Sequence, residues 1–301
     1  MANLKEIRTR IASVASTRQI TSAMKMVAAA KLKKAQDTVS NFRPYALKMQ
    51  EIMLSVSSSL GHDNDNIYAD ERDYRQVLIV IITSNRGLCG AFNSNVIKEA
   101  VQLAEKKYAS YFEPVKLRYL AIGKKGYDVL RKRKYPLDEP NTKIVDQPTY
   151  ENAAEVAQLL MDSFTSGRYD CIDIVYNEFI NAASQKVVCK QFLPLMPEEY
   201  QNRKEKEKEK VRSLRIDYIF EPTKETILSE LIPQNLRLTL YEALLDSIAS
   251  EYGARMTSMH QATDNATTLI QNLTLQYNKA RQATITNEIL EIVGGAEALK
   301  G

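Results

Sequence analysis

Tryptophan is absent from this chain of 301 residues, histidine occurs twice, cysteine three times, and glycine and proline number only ten and nine. Each shortage excludes something. Cys89, Cys171 and Cys189 are too few and too scattered for a disulfide framework. His62 and His260 have no Cys or Asp-rich neighbours at ligand spacing, so neither a metal nor a cofactor is expected. The longest apolar run, Val77 to Ile82, is far short of the ~20 residues that span a bilayer. No targeting segment precedes Leu4, where an amphipathic pattern begins at once. The expectation is a protein on the cytoplasmic side of a membrane, meeting it only through a complex. With few helix breakers and 26% charged residues, the chain reads as folded and helix-rich.

What is present is organised around the last helix, read over 227–301 with Pro233 as a possible second start. Tyr252, Met256, Met259, Thr263, Ala266, Ile270, Leu273, Tyr277 and Ala280 step alternately by four and three, the seam of a left-handed coiled coil. Ile285, Ile289, Ile292, Ala296 and Leu299 keep that rhythm in a shifted frame, which predicts an adjustment of winding near Thr284. The first helix, read over 1–60, supplies the partner. Its apolar steps run Leu4, Ile7, Ile11, Val14, Thr17, Ile20, Met24 and Val27, with a stammer between Val14 and Ile20. They continue through Leu32, Ala35, Val39, Phe42, Ala46, Met49, Met53, Val56 and Leu60. Pro44 should bend or divide it.

Between the helices, over 61–226, the hydrophobic period changes. Val77 to Thr83 reads as a strand buried on both faces. Helix 94–107, strand 115–122, helices 124–134 and 150–166, and strands 171–178, 186–193 and 214–220 follow. A charged insertion spans about 198–212. The fold class is therefore α/β plus coiled coil: a long antiparallel coiled coil of the terminal helices with an inserted Rossmann-like α/β domain.

Charge is unevenly shared. Residues 1–60 hold ten Lys or Arg against three acids, so the first helix suits an acidic partner: nucleic acid, anionic membrane or an acidic protein surface. Residues 84–93 form a strand-to-helix junction, but the glycines lack both phosphate-loop spacings, G-x-G-x-x-G and G-K-[ST]. A tight turn is the default there. Cys89 lies at a helix start without an identifiable base, so no catalytic nucleophile is expected. On the last helix Asn278, Lys279, Arg281, Gln282, Thr284, Thr286 and Asn287 form a polar cluster without acids until Glu288. Arg281 and Gln282 could together hold an external carboxylate.

Three stretches in order, Ile20 to Ala29, Ser84 to Asn93 and Tyr277 to Ile289, make the chain resemble the gamma subunits of F-type ATP synthases, bacterial type. The resemblance covers nearly the whole sequence. It implies a non-catalytic rotor shaft that turns inside a hexamer of three alpha and three beta subunits. It implies an α/β domain that joins the epsilon subunit and the membrane c-ring, at the cytoplasmic face of the bacterial inner membrane. It also implies partner contacts at Arg281, Gln282 and Thr286, the catch for an acidic loop, at Met24, Lys25 and Cys89 near the beta lever, and at Arg255. No cofactor and no nucleic acid are implied. With Cys171 and Cys189 apart on separate strands, thiol regulation is not expected. A free-standing nucleotide-binding α/β protein and a nucleic-acid-binding coiled coil are the alternatives.

Overall fold

A computed structural model describes residues 4–60, 67–70, 72–108, 115–195 and 223–298. The expected strand 214–220, the breaker 61–66 and the charged insertion 198–212 lie outside them. The chain divides into two units, 1–30 with 255–301, and 31–254.

The first unit is a pair of helical segments, one from each end of the sequence. They belong to α1 (Leu4–Leu60) and α6 (Lys224–Ala298). The pair is antiparallel, because Lys25 Nζ lies 3.4 Å from His260 Nδ1 while the hydroxyls of Thr21 and Thr263 lie 2.9 Å apart. Every residue of the expected α6 seam from Met256 to Ala280 is buried or half-buried. A polar pair in a narrow seam fixes register, since sliding would leave both hydroxyls against apolar neighbours.

Two expectations for the seam need correction. On α1 the inward residues Ile7, Val14, Thr21, Ala28 and Ala35 follow an unbroken spacing of seven, and Ile11, Lys25 and Leu32 lie beside them. The stammer is absent. Ile20 and Val27, read as seam, are 59% and 57% exposed. The shifted set on α6 is not a seam within this chain either, because every residue from Arg281 to Ala296 is exposed. Thr21 faces Thr263 and Lys25 faces His260, so the register runs out of partner residues as α1 nears its start.

The second unit holds a four-stranded sheet. Strands β1 (Gln76–Ile82), β2 (Lys116–Ile122) and β3 (Cys171–Phe179) are parallel, and β4 (Gln185–Leu193) runs antiparallel on β3, in the order β2-β1-β3-β4. Residues 77–82 of β1 are all buried, because a central parallel strand has helices on both faces. Helices α2 (Phe92–Leu103), α3 (Lys124–Lys132), α4 (Lys143–Asp146) and α5 (Tyr150–Thr165) complete the layers. Thr149 caps α5 by accepting the Asn152 amide at 3.3 Å. The short α4 has no periodic signal and was not expected.

In this unit α6 is buried almost all round from Leu240 to Ala254, because it is packed by α1 on one side and the α/β layers on another. Phe42 of α1 meets Tyr241 edge-on at 4.9 Å, and Tyr150 of α5 meets the same ring at 5.8 Å. Neither Pro44 nor Pro233 divides its helix. Pro233 stands in the third turn of α6, where burial and packing outweigh the single hydrogen bond lost.

Candidate functional site

The expected catch lies at the bare end of α6. Arg281, Gln282 and Thr286 are all exposed, and the Thr286 hydroxyl donates to the Gln282 carbonyl at 2.9 Å. Sharing the stretch are Ile285, Ile289, Leu290, Ile292 and Val293, between 46% and 71% exposed. An apolar helix with this much surface in water is an interface waiting for its other half. The chemistry it offers is mixed: aliphatic contact all round, plus one planar guanidinium and one amide that can together hold a carboxylate.

On α1 the exposed apolar side is the one opposite the seam. Met24 and Lys25 are half-buried flank residues, whereas Met26 is 66% exposed together with Ile20 and Val27. These three are the functional candidates that periodicity missed. Their signal was present as a second apolar stripe, but Ile20 and Val27 were read as seam and Met26 was passed over.

The loop after β1 occupies the place where doubly wound folds hold a ligand, beyond the strand C-termini at a change of strand order. Here that place is filled by protein. Asn93 Oδ1 accepts the Ser84 amide at 2.9 Å, while Asn93 Nδ2 donates to Ser84 Oγ at 2.8 Å and to Cys89 Sγ at 3.2 Å. Asn85 ties the loop to the next one, donating to the Thr142 carbonyl and accepting the Lys124 amide, both at 2.9 Å. Cys89 is 2% exposed and packs with Phe92 and Ala254 of α6. It is an internal support of the loop, whereas Leu88, at φ 65° and 64% exposed, points outward together with Arg86. Arg255, 9% exposed, is engaged inside the chain.

The hairpin between β3 and β4 grips the same stretch of α6. Ser250 donates its hydroxyl to the Asn177 carbonyl at 3.1 Å. A Cβ on Gly253 would stand 3.1 Å from the Ala182 carbonyl oxygen, so the glycine is what lets the hairpin approach.

Among the described residues no group of three or more His, Cys, Asp or Glu is placed to hold a metal, and no helix is long and apolar enough to cross a membrane. A buried polar knot stands at the start of β3, where Tyr108 donates to Asp173 at 2.6 Å and Lys107 bridges both Asp173 oxygens and Gln191. Burial pushes the Cys171 thiol beside it up to about 12, so it is inert.

A family model described as ATP synthase matches residues 3–299. The ATP synthase gamma chain of Flavobacterium psychrophilum is 54% identical over 301 residues, covering the whole of both chains. The chain belongs to the ATP synthase gamma chain family. The gamma chain of Cytophaga hutchinsonii is 46% identical over 299 residues, covering 99% of each. Among solved structures, the rotor of the Euglena gracilis mitochondrial ATP synthase shares the fold, with a TM-score of 0.62 over 94% of this chain and 98% of that one, at 23% identity. The central stalk and c-ring of the Tetrahymena thermophila mitochondrial ATP synthase include a chain 29% identical, with a TM-score of 0.55 over 81% of this chain and 99% of that one. A gamma chain is one component of an enzyme complex, and the family fold is that of its central stalk.

Proposed function

We propose that this chain is the non-catalytic rotor shaft of a bacterial F-type ATP synthase, turning within three alpha and three beta subunits and joined at its base to epsilon and the c-ring. It sits at the cytoplasmic face of the inner membrane and meets the bilayer through the complex. The observation that carries the reading is the unpartnered end of α6, which exposes five large aliphatic side chains in nine residues, Ile285 to Val293. Such a tip needs an apolar sleeve, and a ring of subunits supplies one on every side.

On this reading residues 1–60 and 227–301 form the shaft, and 61–226 the globular base. Arg281 and Gln282 hold a carboxylate of the head, with Thr286 in the same contact region. Met24, Lys25, Ile20 and Val27 face the beta levers. Leu88 meets the head in place of Cys89, which braces the loop from inside, and Arg255, 9% exposed, belongs to the shaft. Because the shaft presents different side chains in different directions, three identical catalytic sites are biased unequally as it turns.

Mixing the chain with alpha and beta subunits from the same source tests this. A single complex of three alpha, three beta and one copy of this chain should form, with ATP turnover that requires it. In reconstituted vesicles Arg281→Ala should lower ATP-driven ion pumping several-fold, while Gln276→Ala, on the exposed side, leaves it near wild type. A hexamer that ignores the chain would refute the reading.

A further inference from the structure

Lys25, His260 and Asp264 form a cluster of titratable groups within the helical pair that seam packing does not account for. Register places it: the Thr21–Thr263 pair lies one turn away on each helix and brings Lys25 opposite the ring of His260. Lys25 is half-buried, as expected of a long side chain that packs its apolar stem beside a seam and extends its ammonium beyond it. Its Nζ lies 3.4 Å from His260 Nδ1. Asp264, one turn further along α6, brings Oδ2 to 3.4 Å from the same nitrogen.

Nδ1 can serve one of these two neighbours at a time. As a bare ring nitrogen it accepts from the Lys25 ammonium; carrying a proton, it donates to the Asp264 carboxylate and has no lone pair left for the lysine. A ring that holds both protons also repels the ammonium by its charge. A proton therefore selects the partner, and imidazole is the side chain that gains and loses one near neutral pH. His260 and Asp264 are exposed, so exchange with solvent is open. Among the described residues no other charged group touches the ring: the next charges along α1 are Arg18 and Lys31, the next before it along α6 is Arg255, and none of them bonds or pairs with it.

We propose that His260 is a pH-dependent positioning residue for Lys25: neutral, it holds the Lys25 ammonium against α6, and protonated, it turns to Asp264 and releases the lysine to an acidic segment of the beta subunit. The inference rests on the rotor reading, which sets Lys25 against the beta levers, and adds what governs that contact. Acid strengthens it twice over, by freeing the lysine and by adding one positive charge to the same surface. All three groups reach water, so each contact is weak, and the change is about two- to fivefold rather than all-or-none.

The test uses the assembled complex of alpha, beta and this chain, whose ATP turnover, if it requires the chain, first establishes the rotor reading independently. A water-soluble carbodiimide condenses an amine with a carboxylate it touches into an amide, taking up the water as a urea, and peptide mass spectrometry then counts Lys25 coupled to beta. Wild type is compared with His260→Ala at each pH, which cancels the pH dependence of the reagent. Wild type should give about two- to fivefold less coupled Lys25 than His260→Ala at about pH 7.5, and about the same amount at about pH 5.5. His62→Gln, which removes the other of the chain's two histidines, should keep that difference. A ratio of wild type to His260→Ala that does not change with pH would overturn the proposal, as would a difference that vanishes in His62→Gln. Lys25 uncoupled at every pH would overturn it too, because no acidic segment then meets the lysine, while turnover that requires the chain would leave the rotor reading standing.

Discussion

On α6 the carboxyl of Asp246 is 5% exposed; burial, then the Glu242 charge one turn away, pushes its pKa up to about 7, with Arg43 opposing and Glu178 adding. A cavity lined by Val39, Phe42, Arg43, Glu242 and Leu245 adjoins it. The folded-state pKa lies above the unfolded value of about 3.9, so the folded chain holds a proton that the unfolded chain releases. Its contribution to stability is therefore lost as pH rises from about 4 to about 7, and ionised Asp246 weighs on the fold above that. Asp246→Asn should be near neutral at pH 4.5 and stabilising at pH 8, on the order of 2–4 kcal/mol. Thermal unfolding of both proteins across that range measures it, and parallel curves would show that Asp246 stays ionised. Nothing in the sequence marks this residue, because a carboxylate on a long helix is solvated by default and only tertiary packing closes the space around it.

At the scale of elements, the sheet was legible because burial changes the period of the sequence. Val77 to Ile82 has no polar alternation, and it is the central strand. The seam of α6 was legible for the same reason. On α1 the reading failed at Ile20 and Val27, since periodicity reports which residues are apolar and says nothing about whose surface they meet. Thr21 and Ala28, less hydrophobic, are the ones that face the other helix. Within the site, Arg281 and Gln282 could be picked out by the lack of nearby acids, whereas the inward turn of Cys89 depends on Asn93 and Ser84 closing the loop around it.

The hairpin grip gives a prediction at this scale. Gly253→Ala gains about 1 kcal/mol of helix propensity but brings a methyl to 3.1 Å from the Ala182 carbonyl, so the two effects should nearly cancel. Gly253→Val has no such balance and should destabilise by about 1–3 kcal/mol, seen as a lowered denaturant midpoint. A valine variant as stable as wild type would mean that the hairpin yields freely and does not hold α6.

For the whole molecule, the exposed end of α6 predicts two behaviours of one chain. Alone, residues 281–298 should be cut early by limited proteolysis. In the complex with alpha and beta they should persist at least tenfold longer, while unrelated proteins give no protection. Equal lifetimes would mean that the tip does not enter the head.

That lone segment also has a mechanical meaning. Two helices wound together resist bending and twisting more than one, and from Arg281 onward α6 is exposed on every side, with no partner helix among the described residues. Thr284 and Thr286 each turn their hydroxyls back on the carbonyl four residues earlier, at 3.0 and 2.9 Å, a habit that softens a helix locally. A lone helix yields to a given torque more than a wound pair does, so the tip is expected to be the more compliant part of α6.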